Sequence, residues 1–76
     1  MADARILVVD DESAQRDILG GLLRKQGYLV REAPSGAAAL ALLRAEPVDL
    51  ILTDVKMPGM SGLELVREAR ALNAEL

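Results

Sequence analysis

The residues of this chain best equipped for chemistry are aspartates that interrupt apolar runs. In Asp49 to Gly62, DLILTDVKMPGMSG, an apolar stretch meets Asp54 and is followed by Lys56 and a loop rich in glycine and proline. Near the other end, Ile6 to Val9 runs directly into Asp10 and Asp11. The sequence has neither histidine nor cysteine. Catalytic triads, imidazole or thiolate metal sites and phosphohistidine are therefore excluded, and any chemistry must run on carboxylates, lysine or hydroxyls. Three carboxylates brought together would repel one another, so such a site persists only if a cation or protons neutralise it. A hard divalent ion meets that need. Magnesium takes oxygen ligands at about 2.0–2.1 Å, keeps several waters and binds one or two carboxylates together with phosphate oxygens.

Whether these acids meet depends on the elements that carry them. The chain alternates strand and helix patterns with short joints. Ile6 to Val9 reads as a first strand, followed by a helix with Asp11 or Ser13 as N-cap, Ile18, Leu19, Leu22 and Leu23 on a buried face, and Gly27 as a left-handed C-cap. Tyr28 to Ala33 reads as a second strand, made polar by Arg31 and Glu32 as suits a sheet edge. Ala37 to Ala45 is a run of strong helix formers that Pro47 ends, with Ser35 placed to cap it. Val48 to Thr53 reads as the third strand, and its Leu50, Ile51 and Leu52 form the near-continuous apolar run of a buried parallel strand. Ser61 could cap a third helix whose faces are defined by Leu63, Val66 and Ala69 or Arg70.

The resulting order is β-α-β-α-β-α, an α/β chain with a parallel sheet. Right-handed crossovers, with the polar second strand at one edge, make the strand order 2-1-3. The first and third strands are then neighbours, and a crevice opens at their carboxyl ends, where ligands bind in open α/β sheets. Asp10, Asp11 and Asp54 all fall at that crevice.

Composition limits the alternatives. At 76 residues there is room for one small domain, and a chain this short buries only about 60% of the surface it exposes when unfolded. Hydrophobic residues make up 51% of the sequence while Tyr28 is the only aromatic. The core must therefore be aliphatic, and recognition of nucleic acid through stacked aromatics is excluded. Nine basic residues against 12 acidic ones leave a net charge of −3, which argues against direct DNA binding. No secretory leader and no apolar run near the ~18 residues of a membrane span are visible, so the expected location is the cytoplasm. The sequence also lacks a Gly-x-x-x-x-Gly-Lys nucleotide loop, so a phosphoryl group would have to come from a partner.

Taken one at a time, these features have ordinary explanations. An Asp-Asp pair is commonly a solvated turn, Asp54 could cap its own turn, Lys56 could be merely exposed, and Ser35 and Ser61 look like helix caps. Their conjunction at adjacent strand ends is what points to a site.

Val8-Val9-Asp10-Asp11-Glu12, followed by Thr53-Asp54-Val55-Lys56-Met57-Pro58-Gly59-Met60-Ser61-Gly62, resembles the receiver domain of two-component response regulators. The resemblance covers the whole chain. It implies a flavodoxin-like parallel sheet with flanking helices, with Asp54 as phosphoacceptor. Asp11 would be a direct magnesium ligand, Asp10 a ligand through water and Lys56 a ligand through its backbone carbonyl. It also implies a sensor histidine kinase as donor and an output domain under control. The Met57 to Met60 loop is most similar to NtrC-like regulators, whose receiver precedes an ATPase acting on the nitrogen-type sigma factor. Receivers of this kind continue through two more strands and helices that carry a Ser or Thr and a Lys. Residues 1–76 therefore read as the first three β-α units, a partial receiver holding the acidic half of the site. Such a module accepts a phosphoryl group without being a turnover enzyme. In a 2-1-3 sheet the apolar third strand would be an exposed edge, and self-association through that edge is expected. Two other readings are a pseudo-receiver acting only through protein contacts and a carboxylate-metal phosphatase. The latter would need an aspartate two residues after Asp54, where Lys56 stands.

Overall fold

The computed structural model describes residues 4–55 and 57–72. Among the described residues three strands and three helices alternate: β1 (Arg5–Val9), α1 (Ser13–Lys25), β2 (Leu29–Ala33), α2 (Gly36–Ala45), β3 (Leu50–Thr53) and α3 (Gly62–Leu72). The sheet is parallel throughout with the expected order β2-β1-β3, one that right-handed crossovers allow. β1 is the central strand, and its residues 6–9 are all buried because helices cover both faces.

Leu7 and Val9 point to one face, where they join Ala39 and Leu40 of α2, Leu65 of α3, Val48 and Met57 in the main core. Ile6 and Val8 are buried on the opposite face, on the side of α1. α2 is capped by Ser35, whose Oγ accepts from the Ala38 N–H at 3.1 Å. α1 ends in a Schellman turn. Gly27 adopts φ 94°, its N–H donates to the Arg24 carbonyl, and the Tyr28 N–H donates to the Leu23 carbonyl.

Three details depart from the sequence pattern. Neither Asp11 nor Ser13 caps α1: the N-cap is Glu12, which makes no side-chain capping bond. The face of α1 turned to the sheet is Arg16, Gly20 and Leu23, at i, i+4 and i+7, while Ile18 and Leu22 are 66% and 57% exposed. The reason is close approach. A Cβ at Gly20 would stand 2.8 Å from Oε2 of Glu32 on β2, so the glycine stripe can come nearer the sheet than the leucine stripe. β3 is likewise less buried than its composition suggests, with Leu50 48% exposed, since β3 is an outer strand of the described sheet. In α3 the buried stripe is Gly62, Leu65 and Ala69, with Leu63 and Val66 turned outward.

Candidate functional site at the carboxyl edge of the sheet

The site is built by extending the β1–β3 ladder one residue past each strand. Val9 and Thr53 are register partners. Beyond them the Asp54 N–H donates to the Val9 carbonyl at 3.1 Å, and the Asp10 N–H donates to the Ala33 carbonyl at 3.2 Å. Both aspartates thus leave the sheet from hydrogen-bonded backbone, side by side on neighbouring strands about 4.8 Å apart. Asp11 follows in the turn into α1. That turn is held by the Glu12 N–H donating to Oδ1 of Asp10 at 2.9 Å, a side-chain mimic of a backbone turn. One carboxylate oxygen from each of Asp10, Asp11 and Asp54 lies within 4.8 Å of the others. Asp10 is half-buried, while Asp11 and Asp54 are exposed.

The loop after Asp54 is anchored at several points. The Gly62 N–H donates to the Val55 carbonyl at 2.9 Å, bringing the start of α3 back over the strand end. A Cβ at Gly62 would lie 2.2 Å from the Asp54 carbonyl oxygen, so only glycine permits that approach. Met57 is buried in the core, and Met60 packs on the start of α2, where a Cβ at Gly36 would be 2.8 Å from its Sδ. Gly59 takes φ 82°, a left-handed conformation that favours glycine. Ser61 and Glu64 form a reciprocal capping box: the Glu64 N–H donates to Ser61 Oγ and the Ser61 N–H donates to Glu64 Oε1, both at 3.2 Å. Lys56 lies outside the described residues.

An open groove of about 460 Å³ leads to the acids, lined by Val8, Gln15, Leu19, Leu52 and Thr53 together with Asp10 and Asp54. The donor set is all carboxylate oxygen and faces solvent, which suits a hard divalent ion that retains part of its water shell. Such an ion would sit between Asp10, Asp11 and Asp54.

The structure therefore brings together the three aspartates singled out in the sequence. Two contributors were not singled out there. One is Gly62, whose signal is a glycine where α3 must start against the Asp54 backbone. The other is Arg16, whose Nη1 donates to the Asp10 carbonyl at 2.6 Å and whose signal is a cation on the same helical stripe as Gly20 and Leu23.

A family model described as the response regulator receiver domain matches residues 6–76. The chain belongs to this family. It is 48% identical over 68 residues to the transcriptional regulatory protein ZraR of Salmonella typhimurium, covering 90% of this chain and 15% of ZraR. Among solved receivers, it resembles the response regulator protein TrrA of Thermotoga maritima, crystallised in complex with Mg(2+)-BeF. The TM-score is 0.88 and the identity 41%, over 93% of this chain and 62% of that one. A crystal structure of histidine kinase ThkA in complex with TrrA also matches, with TM-score 0.88 and 40% identity over 95% of this chain and 62% of that one. These neighbours, with the chemotaxis protein CheY4 of Vibrio cholerae at TM-score 0.90, 36% identity and coverage of 95% of this chain and 60% of that one, have the flavodoxin-like receiver fold. The chain spans 55–61% of the length of the first curated relatives it matches. Among the described residues no helix is long and apolar enough to cross a membrane.

Proposed function

We propose that this chain is the phosphoacceptor portion of a receiver that takes a phosphoryl group onto Asp54 from a sensor histidine kinase, with magnesium bound by Asp10, Asp11 and Asp54. The observation that carries this reading is the convergence of three carboxylate oxygens within 4.8 Å at one end of a parallel sheet. A carboxylate oxygen of Asp54 attacks phosphorus in line as the phosphorus–nitrogen bond of a phosphohistidine breaks. The imidazole leaves with the bonding electrons and takes a proton from solvent, and the product is an acyl phosphate on Asp54. When bound, the divalent ion offsets charge on the phosphoryl oxygens. The chain's own part is positional. β1 and β3 set the spacing of Asp10 and Asp54, and α3, seated on Gly62, fixes the Asp54 backbone.

Modification would add about −1.5 to −2 charges, as in other phosphoresidues. In a longer protein that charge would bias a two-state equilibrium controlling an output domain, here proposed as transcriptional and cytoplasmic. TrrA's capture with a histidine kinase and with Mg(2+)-BeF supports the donor and ion assignments, and ZraR's description supports the output. The module is a stoichiometric acceptor, not a turnover enzyme, and this segment meets its partners through protein contacts and not through nucleic acid.

Incubation with acetyl phosphate and magnesium, followed by intact mass spectrometry, tests the reading. One added phosphoryl group is expected on the wild type and none on Asp54→Asn. A wild type that gains no phosphoryl mass and does not bind beryllofluoride with magnesium would overturn it.

A second reading rests on a separate observation. The outer side of β3 carries exposed Leu50, and α1 exposes Ile18 and Leu22, so the chain as given would self-associate, with β3 pairing to a symmetry mate. A monodisperse monomer in sedimentation at high concentration would rule this out.

A further inference from the structure

We infer that Arg16 is a positioning residue for the acidic site, acting through the backbone carbonyl of Asp10; this inference rests on the phosphoacceptor reading above. α1 makes no side-chain N-capping bond, and the Glu12 N–H to Asp10 Oδ1 bond holds only the turn before it; a second contact ties the body of the helix to the end of β1. Arg16 makes it: Nη1 donates to the Asp10 carbonyl at 2.6 Å, in a part-buried setting. The same guanidinium places Nε 3.6 Å from Oε1 of Glu32, and the two side chains are 17% and 20% exposed. Oε2 of Glu32 in turn accepts from Nη1 of Arg24 at 2.9 Å. Glu32 stands on β2 in register with Val8. The chain of contacts thus runs from β2 through Arg16 to the peptide that joins Asp10 to Asp11.

That peptide is the lever. Its orientation decides how the Asp10 and Asp11 carboxylates are directed, and mutual repulsion with Asp54 favours their spreading apart. Arg16 holds the carbonyl against that spreading, and Glu32 offsets its positive charge, which by itself would oppose a bound cation. An apolar side chain would serve packing at this point of the helix, since Arg16 lies on the stripe of Gly20 and Leu23 that faces the sheet. Placing a cation there costs desolvation that is recovered only through its hydrogen bonds. The planar fork of arginine lets it serve Glu32 and the Asp10 carbonyl together, whereas lysine offers a compact point charge on a flexible stem. If the Arg16–Glu32 pair were only a partly exposed ion pair, its loss would move stability slightly and leave cation binding alone.

The test is magnesium titration of wild type, Arg16→Met, Arg16→Lys and Glu32→Gln by calorimetry, with amide NMR of the metal-free proteins. Arg16→Met is expected to weaken magnesium binding by about ten- to a hundredfold, the range seen when partners behind metal ligands are removed. Arg16→Lys should restore part of that loss and Glu32→Gln should show a smaller one. In metal-free Arg16→Met, the Asp11 and Glu12 amide resonances should shift while that of Ala39, in α2, stays in place. Wild-type magnesium affinity in folded Arg16→Met would overturn the inference; should that variant not fold, wild-type affinity in both Arg16→Lys and Glu32→Gln would do so. If the wild type itself binds no magnesium, the phosphoacceptor reading fails separately. Arg16 is then judged by the metal-free spectra, where unchanged Asp11 and Glu12 amides in the variants would overturn its role.

Discussion

Replacing Gly62 with alanine probes fold and site at once. A Cβ at this position would stand 2.2 Å from the Asp54 carbonyl oxygen and 3.0 Å from both the Asp54 carbonyl carbon and the Val55 Cα. All three are backbone atoms, so no side chain can swing aside. Either α3 or the end of β3 must retreat by about 1 Å to reach ordinary contact. Overpacking of this kind costs about 1–3 kcal/mol, and the absence of a yielding neighbour places Gly62→Ala in the upper half of that range. A domain of this size has about 4–11 kcal/mol of stability in all, at the usual per-residue value. At about 4–8 °C per kcal/mol, a loss near 2 kcal/mol lowers the melting temperature by about 8–16 °C. Helix propensity alone predicts the opposite sign, because alanine is favoured over glycine within helices by about 1 kcal/mol. Gly21→Ala supplies the contrast. Its Cβ would meet nothing within 4 Å, and it should stabilise by about 0.5–1 kcal/mol. Thermal unfolding followed by far-UV circular dichroism reads both variants. The displaced Asp54 should also accept phosphoryl from acetyl phosphate about a hundredfold more slowly, the penalty expected for a 1 Å misplacement of a reacting group. A Gly62→Ala protein that melts at or above the wild-type temperature would show that α3 does not sit against the Asp54 backbone as described.

Other substitutions separate buried positions from exposed ones. Leu65→Ala removes a fully buried side chain and should cost about 2–5 kcal/mol, whereas Leu63→Ala, on the exposed face of the same helix, should stay within about 0.5 kcal/mol; urea titration of the pair would expose a reversed helix face. Ser61→Ala breaks the capping box with Glu64 and should cost about 1 kcal/mol, read as a lower urea midpoint at constant slope. Leu50→Lys puts a charge on the outer strand and should lower the sedimentation-average mass with little change in melting temperature; an unchanged mass distribution in a wild type that does associate would move the contact elsewhere, to the α1 surface around Ile18 and Leu22.

Much of the architecture was legible because its causes are local or follow from chain handedness. Apolar runs ending in aspartate, the cap at Ser35, the left-handed turn at Gly27 and the stop before Pro47 are written in adjacent residues. The meeting of Asp10, Asp11 and Asp54 then follows from the strand order 2-1-3, which right-handed crossovers allow with β2 at the edge and which the likeness to receivers implies. No contact had to be known in advance.

Helix faces were a different matter. α1 offers two overlapping stripes, one of leucine and isoleucine and one of Arg16, Gly20 and Leu23, and periodicity by itself favours the first. The folded chain uses the second because Gly20 lets the helix come close to Glu32, and because Arg16 finds the Asp10 carbonyl there. The seating of α3 on Asp54 is of the same kind. The sequence by itself determined which residues could do chemistry and that they would converge. Only the tertiary structure decided how closely the backbones pack around them, since such distances depend on atoms far apart along the chain.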